Sequence, residues 1–187
     1  MAEHGEYFDY LATRSTLGMI YRRWWLYPRL CHYLTGRVLD VGCGMGDMLA
    51  YRPNTIGVDV NTRTVAWCRS NGLDAHVMQP DVLPFPPASF DGVVLDNVLE
   101  HLADPAPLLS EIRRVLAPTG QLVIGVPGIR GYALDADHKV FYNKETLCQR
   151  LAEFGFIPRR LFHMPLGWRF LEKHMSQYCL YGVFDCE

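Results

Sequence analysis

The sequence predicts an α/β domain, a parallel sheet covered by helices on both faces, and three observations carry that expectation. From residue 37 onward, short apolar runs alternate with helical patterns, as repeated strand–helix units require. The run Val38-Leu39-Asp40-Val41 is followed by Gly42, Gly44 and Gly46 at alternate positions, then by the start of a helical pattern. Such glycines permit a tight turn and let a ligand touch bare backbone. Finally, Asp91-Gly92-Val93-Val94-Leu95-Asp96 is apolar enough to be buried on both faces, which marks a central parallel strand.

Residues 1–35 differ in style, with Tyr21-Arg22-Arg23-Trp24-Trp25-Leu26-Tyr27 rich in aromatics and arginine. One or two helices are expected there, either as a cap over the site or with the Trp pair packed on the sheet. Val38 to Val41 is the first strand, and Pro53 stops the helix after it soon after Ala50. Thr55 to Val60 is the second strand. Asn61 caps a helix that turns Val65 and Cys68 inward and ends at Asn71-Gly72. Ala75 to Met78 is a third strand, and Pro80, Pro84, Pro86 and Pro87 make a loop. After the fourth strand at Asp91–Asp96, Asp104 is the expected N-cap, with Pro105 at the first helical position. Leu108, Leu109, Ile112, Val115 and Leu116 form the apolar stripe of that helix, which Pro118 and Gly120 end. Gln121 to Val126 is the fifth strand and a loop runs to about Phe141. Asn143 caps a helix bearing Leu147, Leu151 and Phe154, closed by Gly155. Ile157–Met164 and Gln177–Phe184 form an antiparallel pair, with an aromatic, basic stretch Leu166–Met175 between them.

The chain of 187 residues reads as a single domain over 1–187. Within it, 1–35 is a helical cap, 37–126 a ligand-binding core, and 127–187 a loop, helix and hairpin on the acceptor side. A net charge of -2 provides no basic field, which excludes nucleic acid as the expected partner. The six cysteines contain no C-x-x-C pair, so neither a zinc site nor a redox pair is expected, and reduced thiols in a cytoplasm are. No signal peptide or membrane-spanning run is visible.

Sheets of this kind bind ligands at the carboxyl ends of their strands. The glycine spacing differs from the dinucleotide fingerprint, whose last two glycines are two residues apart. Asp59 lies at the tip of the second strand, 17 positions after Gly42, where a carboxylate accepts from both hydroxyls of a ribose. Asp81, after the third strand, is placed to accept from an adenine amino group, with the Val82 amide facing a ring nitrogen. Asp59 reads alternatively as a surface residue ending a strand, and Asp81 alone as a turn residue; three positions in register on successive strand tips point to a nucleoside.

The combination Val38-Leu39-Asp40-Val41-Gly42-Cys43-Gly44-Met45-Gly46, Gly57-Val58-Asp59, Asp81-Val82-Leu83-Pro84-Phe85, Phe90-Asp91, Val98-Leu99-Glu100-His101-Leu102 and Leu116-Ala117-Pro118-Thr119-Gly120-Gln121-Leu122 resembles the class I S-adenosylmethionine-dependent methyltransferases. A further echo is His138, Phe141-Tyr142, Leu147 and Phe154-Gly155-Phe156; the likeness spans about residues 37–160. It is closest to the type 11/type 23 methyltransferase domains. The resemblance implies a Rossmann-like seven-stranded sheet of order 3-2-1-4-5-7-6 with the seventh strand antiparallel. It implies S-adenosyl-L-methionine as cofactor and S-adenosyl-L-homocysteine as product. Asp40 and the backbone of Gly42 and Gly44 would hold the methionine end, Asp59 the ribose, and Asp81 with Val82 the adenine. The Asn97 carbonyl would meet the amino group, with Cys43, Val60 and Val98 beside these positions.

The expected reaction is in-line methyl transfer to an oxygen or nitrogen of a small molecule, with no metal required. Asp96-Asn97-Val98-Leu99 lacks the prolines and aromatic of enzymes that methylate exocyclic base amines. His101 and His138 are the candidate bases; each reads alternatively as a packing or loop-anchoring residue. Glu100 is expected to serve the local helix start, Tyr142 to pack beneath the next helix, and Arg159-Arg160 to be a solvated strand face. Trp24, Trp25, Tyr27, Trp168 and Phe170 suit an apolar, aromatic or sugar-bearing acceptor, or equally a core or dimer contact. The oligomer is a monomer or a homodimer. Two other readings remain open: a non-catalytic S-adenosylmethionine-binding scaffold, and a nicotinamide-dependent oxidoreductase.

Overall fold

A computed structural model describes residues 15–168 and 174–187. Its chain order is α1 (Thr16–Tyr21), a π-helical turn (Arg22–Leu26), α2 (Tyr27–Cys31), β1 (Val38–Val41), α3 (Asp47–Tyr51), β2 (Thr55–Asp59), α4 (Thr62–Ser70), β3 (Ala75–Val77) and β4 (Phe90–Asp96). A 3₁₀ turn (Leu99–His101), α5 (Ala106–Val115), β5 (Leu116–Pro127), α6 (Ile129–Leu134), α7 (Lys144–Ala152), β6 (Phe156–Met164) and β7 (Cys179–Cys186) follow.

The seven strands form one sheet in the order β3-β2-β1-β4-β5-β7-β6. Pairing from β3 through β5 is parallel, whereas β7 is antiparallel to both β5 and β6. The strand order and the antiparallel seventh strand are those expected. Side chains alternate between the two faces, as strand geometry demands. Val93, Leu95, Leu122, Ile124, Leu180 and Phe184 join Leu109, Ile112, Leu147 and Leu151 in one cluster. Val94, Val123, Tyr181 and Val183 join Leu26, Leu30 and Leu34 in the other.

Local signals account for several boundaries. The Asn61 side chain accepts from Arg63 N and starts α4, while Asn143 and Thr146 form a reciprocal cap that starts α7. Gly42, at φ +76°, turns the chain off β1, and a Cβ there would lie 2.5 Å from Val98 Cγ2. Only glycine fits this approach without moving the Val98 segment.

Other boundaries move. The N-cap of α5 is Pro105, not Asp104; Asp104 Oδ1 nevertheless accepts from Ala106 N at 3.1 Å. β5 starts at Leu116 rather than Gln121, because Leu116 pairs with Phe90 ahead of an irregularity in the ladder. Leu116 thus leaves the helical stripe. Phe154 lies past the end of α7, and the expected loop to Phe141 contains α6. The sheet face is packed by Leu26, Tyr27, Leu30 and Leu34, not by the Trp pair: Trp24 and Trp25 are 73% and 54% exposed. Phe170 and the middle of the 166–175 stretch lie outside the described residues. Among the described residues, no helix is long and apolar enough to cross a membrane.

Candidate cofactor and acceptor site

The carboxyl ends of β1, β2 and β4 carry Asp40, Asp59 and Asp96. Gly42 N and Cys43 N donate to Val58 O at 2.8 and 3.0 Å, which draws the glycine turn against β2. Asp59 then ties two turns together: its Oδ2 accepts from Gly44 N at 2.9 Å and its Oδ1 from Asn61 N at 2.8 Å. Met78 N donates to Asp59 O at 3.0 Å, bringing the end of β3 to the same point. The turns at 42–46, 59–61 and 78–82 are therefore joined at one strand tip.

Asp40 is 6% exposed, and burial with the nearby Asp96 and Asp59 charges pushes its carboxyl up to about 8. Asp96 accepts from Tyr181 Oη at 2.8 Å and from its neighbour Asn97 Nδ2 at 2.9 Å. Arg22 of the π-helical turn reaches Asp96 Oδ2 at 3.4 Å. Burial opposes the guanidinium charge, but Asp96, Tyr27 and Tyr181 hold its pKa well above the ordinary range. Sequence reasoning passed over Arg22, since it lies 74 positions from its partner and the aromatics around it set no register.

Asp81 and Asn97 both occupy the left-handed region, at φ 60° and 53°. Asn97 N donates to Gly125 O at 3.0 Å, which secures the turn after β4. One expectation fails: the Val82 N–H donates to Gln79 O at 3.1 Å, so in this conformation it does not face a ligand. The turn satisfies its own backbone first. Val60 is exposed and Val98 half-buried.

The acids match a ligand that carries a sulfonium, an ammonium and ribose hydroxyls, and the crowded glycine turn offers bare backbone to it. The donor set thus fits S-adenosylmethionine. Two hollows of about 310 Å³ lie away from these tips, one lined by Ala103, Tyr142 and Arg150 and the other by His32, Thr119 and Arg159.

On the far side of β4, His101 and His138 lie together, ring centroids 4.6 Å apart. His138 Nδ1 meets Tyr132 O at 2.9 Å, and the two rings stack. Burial, then His138, lower the pKa of His101. The Glu100 side chain is buried, its carboxyl meets its own backbone N–H in the 3₁₀ turn, and among the described residues no other residue hydrogen-bonds to either oxygen; burial pushes its pKa up to about 8. Although the sequence suggested no metal cluster, ligand atoms of Glu100, His101 and His138 lie within 4.8 Å of one another. Spacing concealed this, because His138 comes from a separate loop. Tyr142 is buried as expected, and Arg159 pairs with Asp185 on an exposed strand face.

Residues 39–124 match the family described as "Methyltransferase domain". The chain is 33% identical over 155 residues to a probable S-adenosylmethionine-dependent methyltransferase of Mycolicibacterium smegmatis, covering 75% of this chain and 60% of that protein. It is 29% identical over 147 residues to the bovine protein named probable tRNA methyltransferase 9B, covering 69% of this chain and 31% of that protein. The chain thus spans less than two thirds of the length of these relatives. Among solved structures it resembles a methyltransferase in complex with the Haloferax volcanii Trm112 activator. The TM-score is 0.75, the identity 20%, and the alignment covers 97% of both chains. Residues 39–124 thus match a methyltransferase domain, and the seven strands have the order and directions that the resemblance implied.

Proposed function

We propose that the protein is a methyltransferase that passes the methyl group of S-adenosylmethionine to an oxygen or nitrogen of a small-molecule acceptor. The observation that carries this reading is the Asp59 carboxylate, which holds the glycine turn and the β2 tip together through Gly44 N and Asn61 N. When bound, the cofactor supplies a methyl already activated as a sulfonium, so the chain's work is alignment and exclusion of water.

In this reading Asp59 accepts from the ribose hydroxyls; a carboxylate accepts up to about four hydrogen bonds. Asp40 gives up its proton opposite the ligand's positive charge. Arg22, beside Asp96 and Tyr27, supplies the charge complement to the amino-acid carboxylate. Asp81 takes the adenine amino group, the Asn97 carbonyl takes the ammonium, and the Gly42, Cys43, Gly44, Val60 and Val98 segments shape the walls. Of the described residues, 15–35 cap the cofactor, 37–126 hold it, and 127–168 with 174–187 form the acceptor side; the rest of the expected 1–35 cap and 127–187 acceptor side lies outside the described residues. His101 and His138 are the proton acceptors for a hydroxyl substrate, and the lowered His101 pKa keeps that ring neutral near pH 7.

A tRNA acceptor is the second reading, favoured by the likeness to the bovine protein and opposed by the net charge of -2. Calorimetric titration with S-adenosylmethionine, followed by transfer of labelled methyl to a metabolite panel and to bulk tRNA with and without a Trm112 protein, separates them. The expected result is one-site cofactor binding, no binding of a nicotinamide dinucleotide, and label in a metabolite. Label in tRNA alone favours the second reading. Binding without turnover leaves a scaffold, and no cofactor binding overturns the proposal.

A further inference from the structure

We propose that Glu100, His101 and His138 form a binding site for a divalent first-row transition ion such as Mn²⁺, Fe²⁺, Co²⁺ or Zn²⁺. Three independent features point there.

The first is the carboxylate. Glu100 is 1% exposed, and among the described residues only its own backbone N–H, and no group of another residue, is a hydrogen-bond partner for its carboxyl. A buried carboxyl group without a partner from another residue is costly, and such groups are retained when they pair with a cation or ligate a metal. Its own backbone oxygen is fully used: Lys139 N and Val140 N donate to it at 2.7 and 3.1 Å. These bonds clamp the His138 loop onto the 3₁₀ turn that carries Glu100 and His101.

The second is the spacing. His138 Nε2 lies 3.8 Å from Glu100 Oε1, too far for a hydrogen bond. Two ligands each about 2.1 Å from one ion stand roughly 3 to 4 Å apart. The cluster as a whole has its ligand atoms within 4.8 Å of one another, so a modest rotation of the more exposed His101 completes it.

The third is the tautomer. A carbonyl cannot donate, so the contact between His138 Nδ1 and Tyr132 O at 2.9 Å places the proton on Nδ1. In the neutral ring the lone pair is then on Nε2, the atom that faces Glu100. A backbone carbonyl behind the non-ligating nitrogen is the usual support of a metal-bound imidazole. Tyr132 stacks on the ring at an interplanar angle of 17° and holds its plane. At the rim, Asp135 Oδ2 stands 3.8 Å from His138 Nε2, and Asp137 Oδ2 3.9 Å from His101 Nδ1. These exposed acids add negative charge around the entrance.

Two imidazoles and one carboxylate select borderline ions over Mg²⁺ or Ca²⁺, which prefer oxygen alone. Three protein ligands leave positions for water or an acceptor oxygen. Only this last consequence rests on the proposed function: with the ion bound, the histidines act as ligands rather than as bases.

The test uses the full chain without an affinity tag, stripped by a chelator and titrated with Co²⁺ while visible absorption is recorded. The expected result is one Co²⁺ per chain with ligand-field bands, competed away by Zn²⁺. Glu100→Gln should weaken binding by about 100-fold and His138→Ala should abolish the bands, while His76→Ala, at a separate His–Asp pair, changes neither. His101→Ala serves as a third variant should one of the others not fold, as judged by circular dichroism. No Co²⁺ bound at about 1 mM, or equal binding by wild type and the cluster variants, overturns the proposal. Cofactor titration of the same samples reads the proposed function separately, because the metal signal does not require it.

Discussion

Two buried carboxylates at the same edge of the sheet are treated in opposite ways. Asp59, at the tip of β2, has backbone amides on both oxygens. Glu100, after β4, is less exposed still, yet among the described residues no other residue hydrogen-bonds to its carboxyl, which has only its own backbone N–H. The first is a finished joint that fixes three turns at one point. The second is an unmet demand for charge or protons, held in place by rigid neighbours. A cofactor cradle needs the first kind, because pre-set geometry lowers the ordering cost of binding. A site that takes up a cation needs the second.

The largest effect should come from Asp59→Ala. Removing the charged acceptor of two amides should cost about 3 kcal/mol in a denaturant titration. It should also cut cofactor affinity by about 100-fold in calorimetry. Retained affinity would dissolve the contrast. Glu100→Leu should act with the opposite sign, raising the stability of the metal-free protein by about 1 to 2 kcal/mol, since it replaces a buried acid that has only its own N–H with an apolar side chain. A destabilised Glu100→Leu protein would mean that the carboxyl is already satisfied.

Arg22→Ala should weaken cofactor binding by about 10-fold, or 1.4 kcal/mol, with Arg22→Lys intermediate. Equal affinities would remove Arg22 from the ligand end. Asp40 sharpens the comparison through pH. Its carboxyl is pushed up to about 8 by burial, Asp96 and Asp59, with Arg22 opposing and Cys68 adding to the rise. The folded protein therefore keeps a proton that the unfolded chain loses above about pH 4. This contribution to stability is present below about pH 4 and disappears as pH rises through 8. Melting temperatures of wild type and Asp40→Asn should diverge over that interval, the variant losing less toward pH 8; parallel curves would contradict the buried-acid assignment. The smallest effect should be that of Trp24→Ala, within about 0.5 kcal/mol, because the ring is 73% exposed.

Much of the cofactor side was legible because its signals are local. The glycine turn, the Asn61 cap and the acid at the end of an apolar run each depend on residues a few positions apart. The Val82 amide was misread for a local reason as well: the turn closes on Gln79 and takes the N–H for itself. The limits of α5 and β5 were missed because Leu116 suits a helix stripe and a strand equally, and only its pairing with Phe90 decides.

What the sequence determined by itself is the order of strands and helices, the sharp turn after β1 and the type of ligand its strand tips suit. These follow from side-chain period, capping and the freedom of glycine. The tertiary structure alone decided that Arg22 would meet Asp96 and that Glu100 would be sealed in beside His101 and His138. Burial and charge pairing depend on which distant segments are brought together, and the free energy of a buried charge depends on those neighbours far more than on its place in the chain.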